Sequence, residues 1–341
     1  MYDVIVIIGR ASPFSKAHEH LVKCAKEKGK HVIWVYGSTN QARDLRNPLT
    51  YNERRAQLKA VFPEYSVQTA AVQDCPYDDH KWVARVQTAV HESIEINWQN
   101  LPLKIAILGH GKDETTFYLD MFPFWDKIEV DSFGDVNATD IRNFAYTHYL
   151  SDRSDEVTSL MPDAAFQIFK TQTQQPFWSL LRDEYEETRI YKQTTSTGKY
   201  PPIFQTADSV VTCSGCVLMV ERANNPGKGL LALPGGFINE YETLRNAALR
   251  ELEEETCLKV PKKVLDGSIK SIKTFDYPQR STRGRTITTA YHIDLGFQKK
   301  LPKVKGGDDA KKAFWMSLSN IDPTQLSEDH FHIIDWFTSI S

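Results

Sequence analysis

Apolar and polar positions follow two different patterns along this chain of 341 residues, and the change falls near its middle. Up to about residue 150, short apolar runs alternate with amphipathic segments. The apolar runs predict strands over 4–8, 31–37, 104–109 and 127–130. The amphipathic segments predict helices near 18–28, 51–61 and 80–95. This alternation indicates an α/β fold, with a parallel sheet covered by helices on both faces.

The second half of the chain has a different pattern. Residues 151–190 are mostly amphipathic and predict helices, whereas from about residue 203 strands dominate around one Glu-rich helix. A closing helix is predicted over Asp329–Thr338. The run TTSTGKYPP (194–202) is rich in turn-forming residues and predicts a linker. We therefore expect a first domain, a linker and an α+β second domain over 1–190, 191–202 and 203–341, as the chain length also favours.

Composition excludes several classes of protein. With 41% hydrophobic and 25% charged residues and a net charge of −3, the chain gives no electrostatic reason to expect a nucleic-acid partner. It has no membrane-length apolar run and no signal-peptide pattern, so we expect a cytoplasmic protein without a membrane partner. The five cysteines fit reduced thiols, and the Cys213–Cys216 pair predicts a hairpin with a Ser-Gly turn rather than a zinc site.

The Glu-rich helix of the second half carries the clearest chemistry. It follows a glycine turn, and the spacing of Asn239 and Glu242 predicts a capping box at its start. Residues three and four apart share a helix face, so Glu251, Glu254 and Glu255 converge on one patch. Such carboxylates suit a hard divalent ion, Mg²⁺ above all. A merely solvated charged helix is the alternative, but regularly spaced apolar positions give this helix a core face.

This segment resembles the Nudix box, Gly-x5-Glu-x7-Arg-Glu-U-x-Glu-Glu-x-Gly-U, where U is apolar. The matching positions are Gly236, Glu242, Arg250, Glu251, Leu252, Glu254, Glu255 and Leu258. Only the last glycine differs: Cys257 stands where a left-handed turn is expected, and no metal ligand is lost. The resemblance implies hydrolysis of a nucleoside diphosphate derivative with Mg²⁺, or alternatively Mn²⁺. The implied catalytic residues are Arg250, Glu251, Glu254 and Glu255, of which the three glutamates are metal ligands.

Polar residues follow several predicted strands of the first domain. They are Gly9, Arg10 and His18 after the first strand, Arg46 and Asn47 after the second, Gly109, Lys112 and Asp113 after a later one, and Thr139 and Arg142 at a further helix start. Open α/β sheets bind ligands at the carboxyl ends of their strands, and helix amino termini attract phosphate. The sequence therefore predicts a nucleotide site at this edge.

Together these segments resemble the NMN adenylyltransferases of the nucleotidyltransferase superfamily, whose motifs read Gly-Arg-Phe-Gln-Pro-Phe-His-x-Gly-His and Ser-Ser-Thr-x-x-Arg. The matching positions are Gly9, Arg10, Pro13, Phe14, His18, Thr139 and Arg142. The resemblance implies a Rossmann-like fold and a catalytic His18. It also implies NMN and ATP binding by Gly9, Arg10, Phe14, Ser15, His18, Arg46, Asn47, Trp82, Gly109, Lys112, Asp113, Thr139 and Arg142. Among these, Trp82 would stack on nicotinamide, Asn47 would contact its carboxamide, and Lys112, Thr139 and Arg142 would hold the phosphates of ATP.

Two positions depart from the first motif. Ser15 stands where the family has histidine, and Ala17 where it has glycine. Adenylyl transfer depends on alignment and on charge stabilisation at the phosphates. Loss of one charged contact costs about 2–3 kcal/mol, or roughly 30- to 150-fold in rate. We therefore expect slow synthesis of NAD, and the alternative is a first domain that only binds nucleotides.

The domain order resembles the bifunctional NMN adenylyltransferase/ADP-ribose pyrophosphatase proteins over essentially the whole chain. This resemblance implies the substrates NMN, ATP and ADP-ribose, and hydrolysis of ADP-ribose to AMP and ribose 5-phosphate. In the second domain, Gly235, Gly236, Arg280, Arg283 and Arg285 are the predicted ADP-ribose contacts, the arginines lying beside Phe275 and Tyr277. A solvated basic turn is the alternative for the arginines. The general base stays open among Glu254, Asp308, Asp309 and Glu328.

A third reading of the chain is a Nudix-type transcriptional regulator. It is disfavoured because the box is intact and no DNA-reading helical domain follows it. The sequence does not fix the oligomeric state, so a homo-oligomer stays open.

Overall fold

The computed structural model describes residues 1–63, 67–97, 103–110, 114–151, 155–307 and 310–340. Its contacts divide the chain into two compact units, Met1–Arg182 and Asp183–Ser341. The last helix of the first part, Pro176–Thr195, runs through the boundary between the units. Its final residues belong to the predicted linker, 191–202, which therefore begins as helix.

The first unit alternates strands and helices. Its strands are β1 (Tyr2–Gly9), β2 (Gly29–Tyr36), β3 (Val67–Ala71), β4 (Ile105–His110) and β5 (Asp126–Val130). Its helices are α1 (Lys16–Lys28), α2 (Tyr51–Val61), α3 (Asp79–Asn97), α4 (Ala138–Thr147), α5 (Asp155–Thr158) and α6 (Asp163–Gln172), with α7 (Pro176–Thr195) continuing into the second unit. Every predicted strand and helix of this half is present, and β3 is an additional strand that the apolar pattern missed.

The five strands form one parallel sheet in the order β3-β2-β1-β4-β5. The chain order reverses between β1 and β4, so the cleft between their carboxyl ends, at Gly9 and His110, is the expected ligand position for such a sheet. Buried aliphatic side chains such as Val4, Ile33 and Ile107 pack the sheet against its helices. The predicted Rossmann-like α/β fold is confirmed.

The second unit is built around a mixed sheet. Its strands are β6 (Ile203–Cys213), β7 (Cys216–Arg222), β8 (Leu231–Ala232), β9 (Gly235–Phe237), β10 (Ile269–Phe275), β11 (Arg285–Asp294) and β12 (Ala310–Ser317). Its helices are α8 (Leu244–Thr256), α9 (Lys262–Gly267) and α10 (His330–Thr338). The sheet order is β10-β11-β6-β7-β12, with β8 on β7 and β9 on β6. The predicted α+β fold is confirmed.

Two local predictions of the second unit have different outcomes. Cys213 and Cys216 face each other across a two-residue turn whose residues, Ser214 and Gly215, have φ of 49° and 76°, so the predicted hairpin is present. The predicted capping box, in contrast, does not start the Glu-rich helix. That helix, α8, begins at Leu244, because the Thr243 hydroxyl accepts the amide of Asn246.

Among the described residues, no helix has the length and apolarity needed to span a bilayer.

Candidate active sites

The loop between β1 and α1 lies at the carboxyl edge of the parallel sheet and is held by buried side chains. The guanidinium of Arg142 donates through Nη1 to the carbonyl oxygen of Ser12. The amide of Phe14 donates to Oε1 of Gln57 at 2.7 Å, and Gln57 is fully buried. Ala11 has a φ of 44°, a left-handed conformation that few non-glycine residues adopt. Contacts from two different helices therefore hold this loop.

Ser15 and His18 are hydrogen-bonded to each other at the start of α1. The amide of Ser15 donates to Nδ1 of His18 at 3.0 Å, and the two side chains lie 2.9 Å apart at Oγ and Nδ1. Since Nδ1 is the acceptor, the neutral ring carries its proton on Nε2. Burial above all, together with the charges of His110 and Arg142, lowers the pKa of His18 to about 4. The serine that replaces the family's histidine thus orients a neutral His18.

Cationic side chains gather near His18. Arg142 is buried and donates through Nη2 to the hydroxyl of Thr139 at 3.0 Å. Burial lowers its pKa to about 10, and repulsion from Arg10 and Arg46 acts in the same direction. Arg142 therefore contacts Thr139 and interacts electrostatically with Arg10 and Arg46, and the resemblance implies all four residues as NMN and ATP contacts. Guanidinium groups at a strand edge suit a polyphosphate chain.

Asn47 presents a buried acceptor in the same region. Its backbone and that of Arg46 are fixed by Asp44, whose Oδ1 accepts both amides at 2.6 and 2.7 Å. The side chain of Asn47 is 9% exposed, and its Oδ1 has no hydrogen-bond partner in the described structure. Leaving such an oxygen unpaired costs free energy. The site is therefore suited to a ligand that brings an N–H donor.

The remaining predicted residues of the first unit have different surroundings. Trp82 is partly buried and packs against the hydrophobic core, edge to face on Tyr118 and tilted on Phe122. Gly109 is closely packed, since a Cβ there would lie 2.9 Å from the side chain of Leu119. Gly9 lies under the ring of Trp34, to which its carbonyl is hydrogen-bonded at 3.2 Å. Lys112 and Asp113 lie outside the described residues.

In the second unit, the glycine turn packs directly on the Glu-rich helix. The amide of Gly235 donates to Oε2 of Glu255 at 3.0 Å. A Cβ on Gly236 would lie 2.6 Å from the carboxylate of Glu251, so any other residue there would have to displace that carboxylate. Burial raises the pKa of Glu255 to about 8, with repulsion from Glu251 and Asp208 adding to the rise. The turn and the helix thus form one cluster of crowded carboxylates.

Arg250 organises the other carboxylates. It donates to Glu242 through Nε and Nη2, both at 2.9 Å, and through Nη1 to Glu251 at 2.7 Å and Glu254 at 2.8 Å. Arg250 and Glu254 lie four positions apart on α8, a spacing that predicts their pairing, and the ion pair is present. Among the described residues, no three acidic, histidine or cysteine side chains are arranged to hold a metal ion, and Arg250 forms ion pairs with two of the three predicted ligands, Glu251 and Glu254. The set still consists of hard carboxylate oxygens, which is the chemistry that Mg²⁺ and Mn²⁺ require.

The three predicted arginines do not act as one cluster. Arg280 is buried and forms a two-point ion pair with Asp329, at 2.8 and 2.9 Å. The guanidinium of Arg283 lies 5.1 Å from the ring centre of Phe237, and Arg285 donates to the carbonyl of Asp276. Arg283 thus lies against Phe237 of β9, the strand that carries Gly236. Phe275, expected beside the arginines as a stacking ring, is fully buried.

The turn at 328–330 contains polar groups that the motifs only partly identified. Glu328 has a φ of 50° and a buried Oε1 without a hydrogen-bond partner among the described residues. His330 is buried and accepts the amide of Leu233 at 2.8 Å. Asp208, which accepts from Thr288, was not predicted. Of the candidate bases, Glu254 is bound to Arg250, Glu328 is in this turn, and Asp308 and Asp309 lie outside the described residues.

Comparison with known proteins matches both halves of the chain. Residues 6–100 match the cytidylyltransferase-like family model, and residues 204–337 match the NUDIX domain model. A nicotinamide/nicotinic acid mononucleotide adenylyltransferase of Acinetobacter baylyi is 29% identical over 196 residues, which cover 56% of this chain and 91% of the relative. An ADP-ribose pyrophosphatase of Methanocaldococcus jannaschii is 37% identical over 129 residues, which cover 37% and 68%.

A solved structure matches the whole length. The bifunctional NMN adenylyltransferase/ADP-ribose pyrophosphatase of Francisella tularensis, crystallised with AMP and a manganese ion, is 30% identical. The match covers 100% of both chains with a TM-score of 0.90. A second structure of that protein gives 31% identity and a TM-score of 0.91 over 99% of both chains.

Proposed function

This chain belongs to the family of bifunctional NMN adenylyltransferase/ADP-ribose pyrophosphatase proteins, and on that premise we propose that it makes NAD and destroys ADP-ribose. The first unit transfers the adenylyl group of ATP to NMN, which yields NAD and pyrophosphate. The second unit hydrolyses ADP-ribose to AMP and ribose 5-phosphate. The observation that carries the proposal is the presence, in one chain, of a cation-rich strand edge and a carboxylate-rich Nudix helix.

For adenylyl transfer, the residues of the first unit align two substrates and neutralise charge. The neutral His18 presents Nε2–H as a hydrogen-bond donor, because Ser15 occupies Nδ1. Arg142, with Thr139 beside it, holds the phosphates of ATP as pyrophosphate leaves, while the Oδ1 of Asn47 accepts the carboxamide N–H of NMN. The nearby Arg10 and Arg46 add positive charge at the same edge. Gly9, Phe14, Trp82, Gly109, Lys112 and Asp113 complete the proposed substrate site.

For hydrolysis, we assign the metal to Glu251, Glu254 and Glu255, with Mg²⁺ as the ion. When bound, the ion supplies an activated water and screens the charge of the diphosphate. Arg250 holds Glu251 and Glu254 on one face, and the amide of Gly235 orients Glu255. We assign substrate contact to Arg283, whose guanidinium lies 5.1 Å from the ring centre of Phe237, next to Gly236. Arg280 supports the site through Asp329, and Arg285 through the backbone at Asp276.

The proposal is tested by following NAD formation from NMN, ATP and Mg²⁺ in a Glu255→Gln background, which silences the second site. We expect slow synthesis that falls about 100-fold on His18→Ala, the usual cost of removing one donor to a developing charge. His20→Ala is the matched control, since His20 lies on the same helix and contacts Cys24 instead.

The outcomes separate the two readings of the first unit. NAD formation that depends on His18 supports the bifunctional reading. No NAD formation, together with retained cleavage of ADP-ribose by the unmutated chain, would leave a Nudix hydrolase whose first unit only binds nucleotides. Calorimetric titration of that chain with NMN and ATP then measures the binding directly.

A further inference from the structure

Arg54 lies on the buried face of α2 and has only 1% of its surface exposed, whereas the neighbouring Arg55 is exposed. Its Nη1 donates to the carbonyl oxygens of Arg10, at 3.0 Å, and Gly37, at 2.9 Å. Its Nη2 donates to the carbonyl of Ser38 at 3.0 Å. The guanidinium also lies 5.4 Å from the ring centre of Tyr36. The side chain therefore binds backbone oxygens and an aromatic face, and no motif of the sequence predicted it.

Such a residue is costly to bury. Within the described residues, the hydrogen bonds of its guanidinium go to backbone carbonyls and none goes to a carboxylate, so the charge is not neutralised by direct pairing. Burial lowers the pKa of Arg54 to about 10, which still leaves the group charged at neutral pH. A lysine could not reach three carbonyls in this way, because only the planar guanidinium presents a fixed fork of donors.

The acceptors belong to two different loops at the carboxyl edge of the sheet. Arg10 lies in the loop after β1, which leads to Ser15 and His18. Gly37 and Ser38 directly follow β2, in the segment that leads to Arg46 and Asn47. Gln57, one turn further along α2, holds the first loop a second time through the amide of Phe14. The buried polar face of α2 thus connects the two loops that carry the proposed ATP and NMN contacts.

We propose that Arg54 is a positioning residue for adenylyl transfer, which fixes the loops after β1 and β2 relative to each other. The inference rests on the proposed function of the first unit. Correct alignment of two bound reactants supplies a large part of the rate in such transfers, and small displacements are expensive. Arg54 does not need to touch either substrate to have this effect. It acts through the backbone of Arg10, Gly37 and Ser38, which lie in the two loops that carry the proposed substrate contacts.

The test compares Arg54→Lys with the matched control Arg55→Lys in the full-length chain. Lysine keeps the charge and loses the fork, so we expect kcat/KM for NAD synthesis to fall roughly 100-fold, with the control within about twofold of wild type. Amide hydrogen exchange gives the second readout. We expect faster exchange at residues 10–15 and 37–40 in Arg54→Lys, with unchanged exchange in strands β1 and β2. If the lysine variant does not fold, Arg54→Gln, which keeps an amide donor, takes the same measurements.

The outcomes are distinct. Faster exchange throughout Met1–Arg182 would show a merely structural residue and overturn the inference, as would a wild-type rate in Arg54→Lys. A wild-type chain that makes no NAD would overturn the proposed function itself, and this inference with it. A slow variant with local loosening of the two loops supports the inference.

Discussion

The two candidate sites carry opposite excesses of charge. At the strand edge of the first unit, Arg142 lies close enough to Arg10 and Arg46 for their charges to repel, and burial lowers its pKa to about 10. On α8 of the second unit, carboxylates crowd around Arg250, and burial raises the pKa of Glu255 to about 8. Desolvation disfavours the charged form in both places. The opposite directions of the shifts come from the opposite signs of the groups.

This difference indicates what each site binds. A group of arginines in which only Arg142 is buried gains from an anion such as a triphosphate, and a cluster of carboxylates gains from a divalent cation. The ligand that neutralises one site would be repelled by the other. A substitution in one site should therefore abolish the reaction of that site and leave the reaction of the other site unchanged. Measuring both activities in each variant tests this directly.

The largest effect is expected for Glu255→Gln. The change removes a proposed metal ligand but keeps an acceptor for the amide of Gly235. We expect hydrolysis of ADP-ribose to fall about 10³-fold, at the upper end of losses for a single charge-stabilising group. NAD synthesis should be unchanged in the same sample. Glu253→Gln is the control, because Glu253 is exposed on the same helix. Equal loss in this control would contradict the assignment.

In the second unit, we expect Arg280 to stabilise the fold and Arg283 to bind the substrate. Arg280→Met removes the two-point ion pair with the buried Asp329, which should lower the free energy of unfolding by about 3–5 kcal/mol. Arg283→Met should leave stability within about 0.5 kcal/mol and raise KM for ADP-ribose roughly tenfold. Calorimetry measures the loss of stability in Arg280→Met from the unfolding transition of the second unit, which is identified as the transition that ADP-ribose shifts. Equal destabilisation by both changes would mean that both arginines are structural.

The counterpart of Glu255 in the first unit is Arg142. Arg142→Met removes the donor to Ser12 and Thr139 together with its charge, so we expect NAD synthesis to fall about 100-fold. Hydrolysis of ADP-ribose should not change. Initial rates of both reactions in one preparation measure the contrast. A parallel loss of both activities would show that the two charge clusters do not act separately.

Much of the fold could be predicted because its strands and helices have clear hydrophobic periods. The exception, β3, has the sequence VQTAA, in which Gln68 and Thr69 interrupt the apolar run. The start of α8 was placed too early because Asn239 and Glu242 have capping-box spacing, yet the helix is capped by Thr243. Local spacing alone does not decide between two such starts.

Contacts within the sites could be predicted only where the contacting residues lie in one segment of the sequence. The contacts of Arg250 come from residues within 13 positions of it, and spacing predicted one of them, the pair with Glu254. The partner of Arg280 is Asp329, 49 positions away, which only the tertiary fold brings near. Arg54 left a weaker signal. It shares the buried face of α2 with Gln57 and Leu58, three and four positions on, where a charged residue is unusual.

The smallest predicted effect is a difference in how the stability of each unit depends on pH. The stability of each unit is measured from its own unfolding transition. His18 has a pKa of about 4, below its ordinary 6.5, so the stability it contributes is present above pH 6.5 and lost as pH falls toward 4. Protonation of Nδ1 would also break its bond with the amide of Ser15. Glu255 has a pKa of about 8, above its ordinary 4.5, so its contribution is present below pH 4.5 and lost as pH rises toward 8.

Without divalent ions, thermal unfolding should therefore show the first unit weakening in acid and the second weakening in mild alkali. Each group contributes at most about 1.4 kcal/mol per pH unit. His18→Asn and Glu255→Gln remove the titrating groups while keeping an acceptor for the amides of Ser15 and Gly235, so each should abolish the slope of its own unit. Mg²⁺ should restore the second unit above pH 7, because it stabilises the ionised carboxylates. If both units lost stability in the same direction of pH change, the inference that the two sites carry opposite excesses of charge would be refuted.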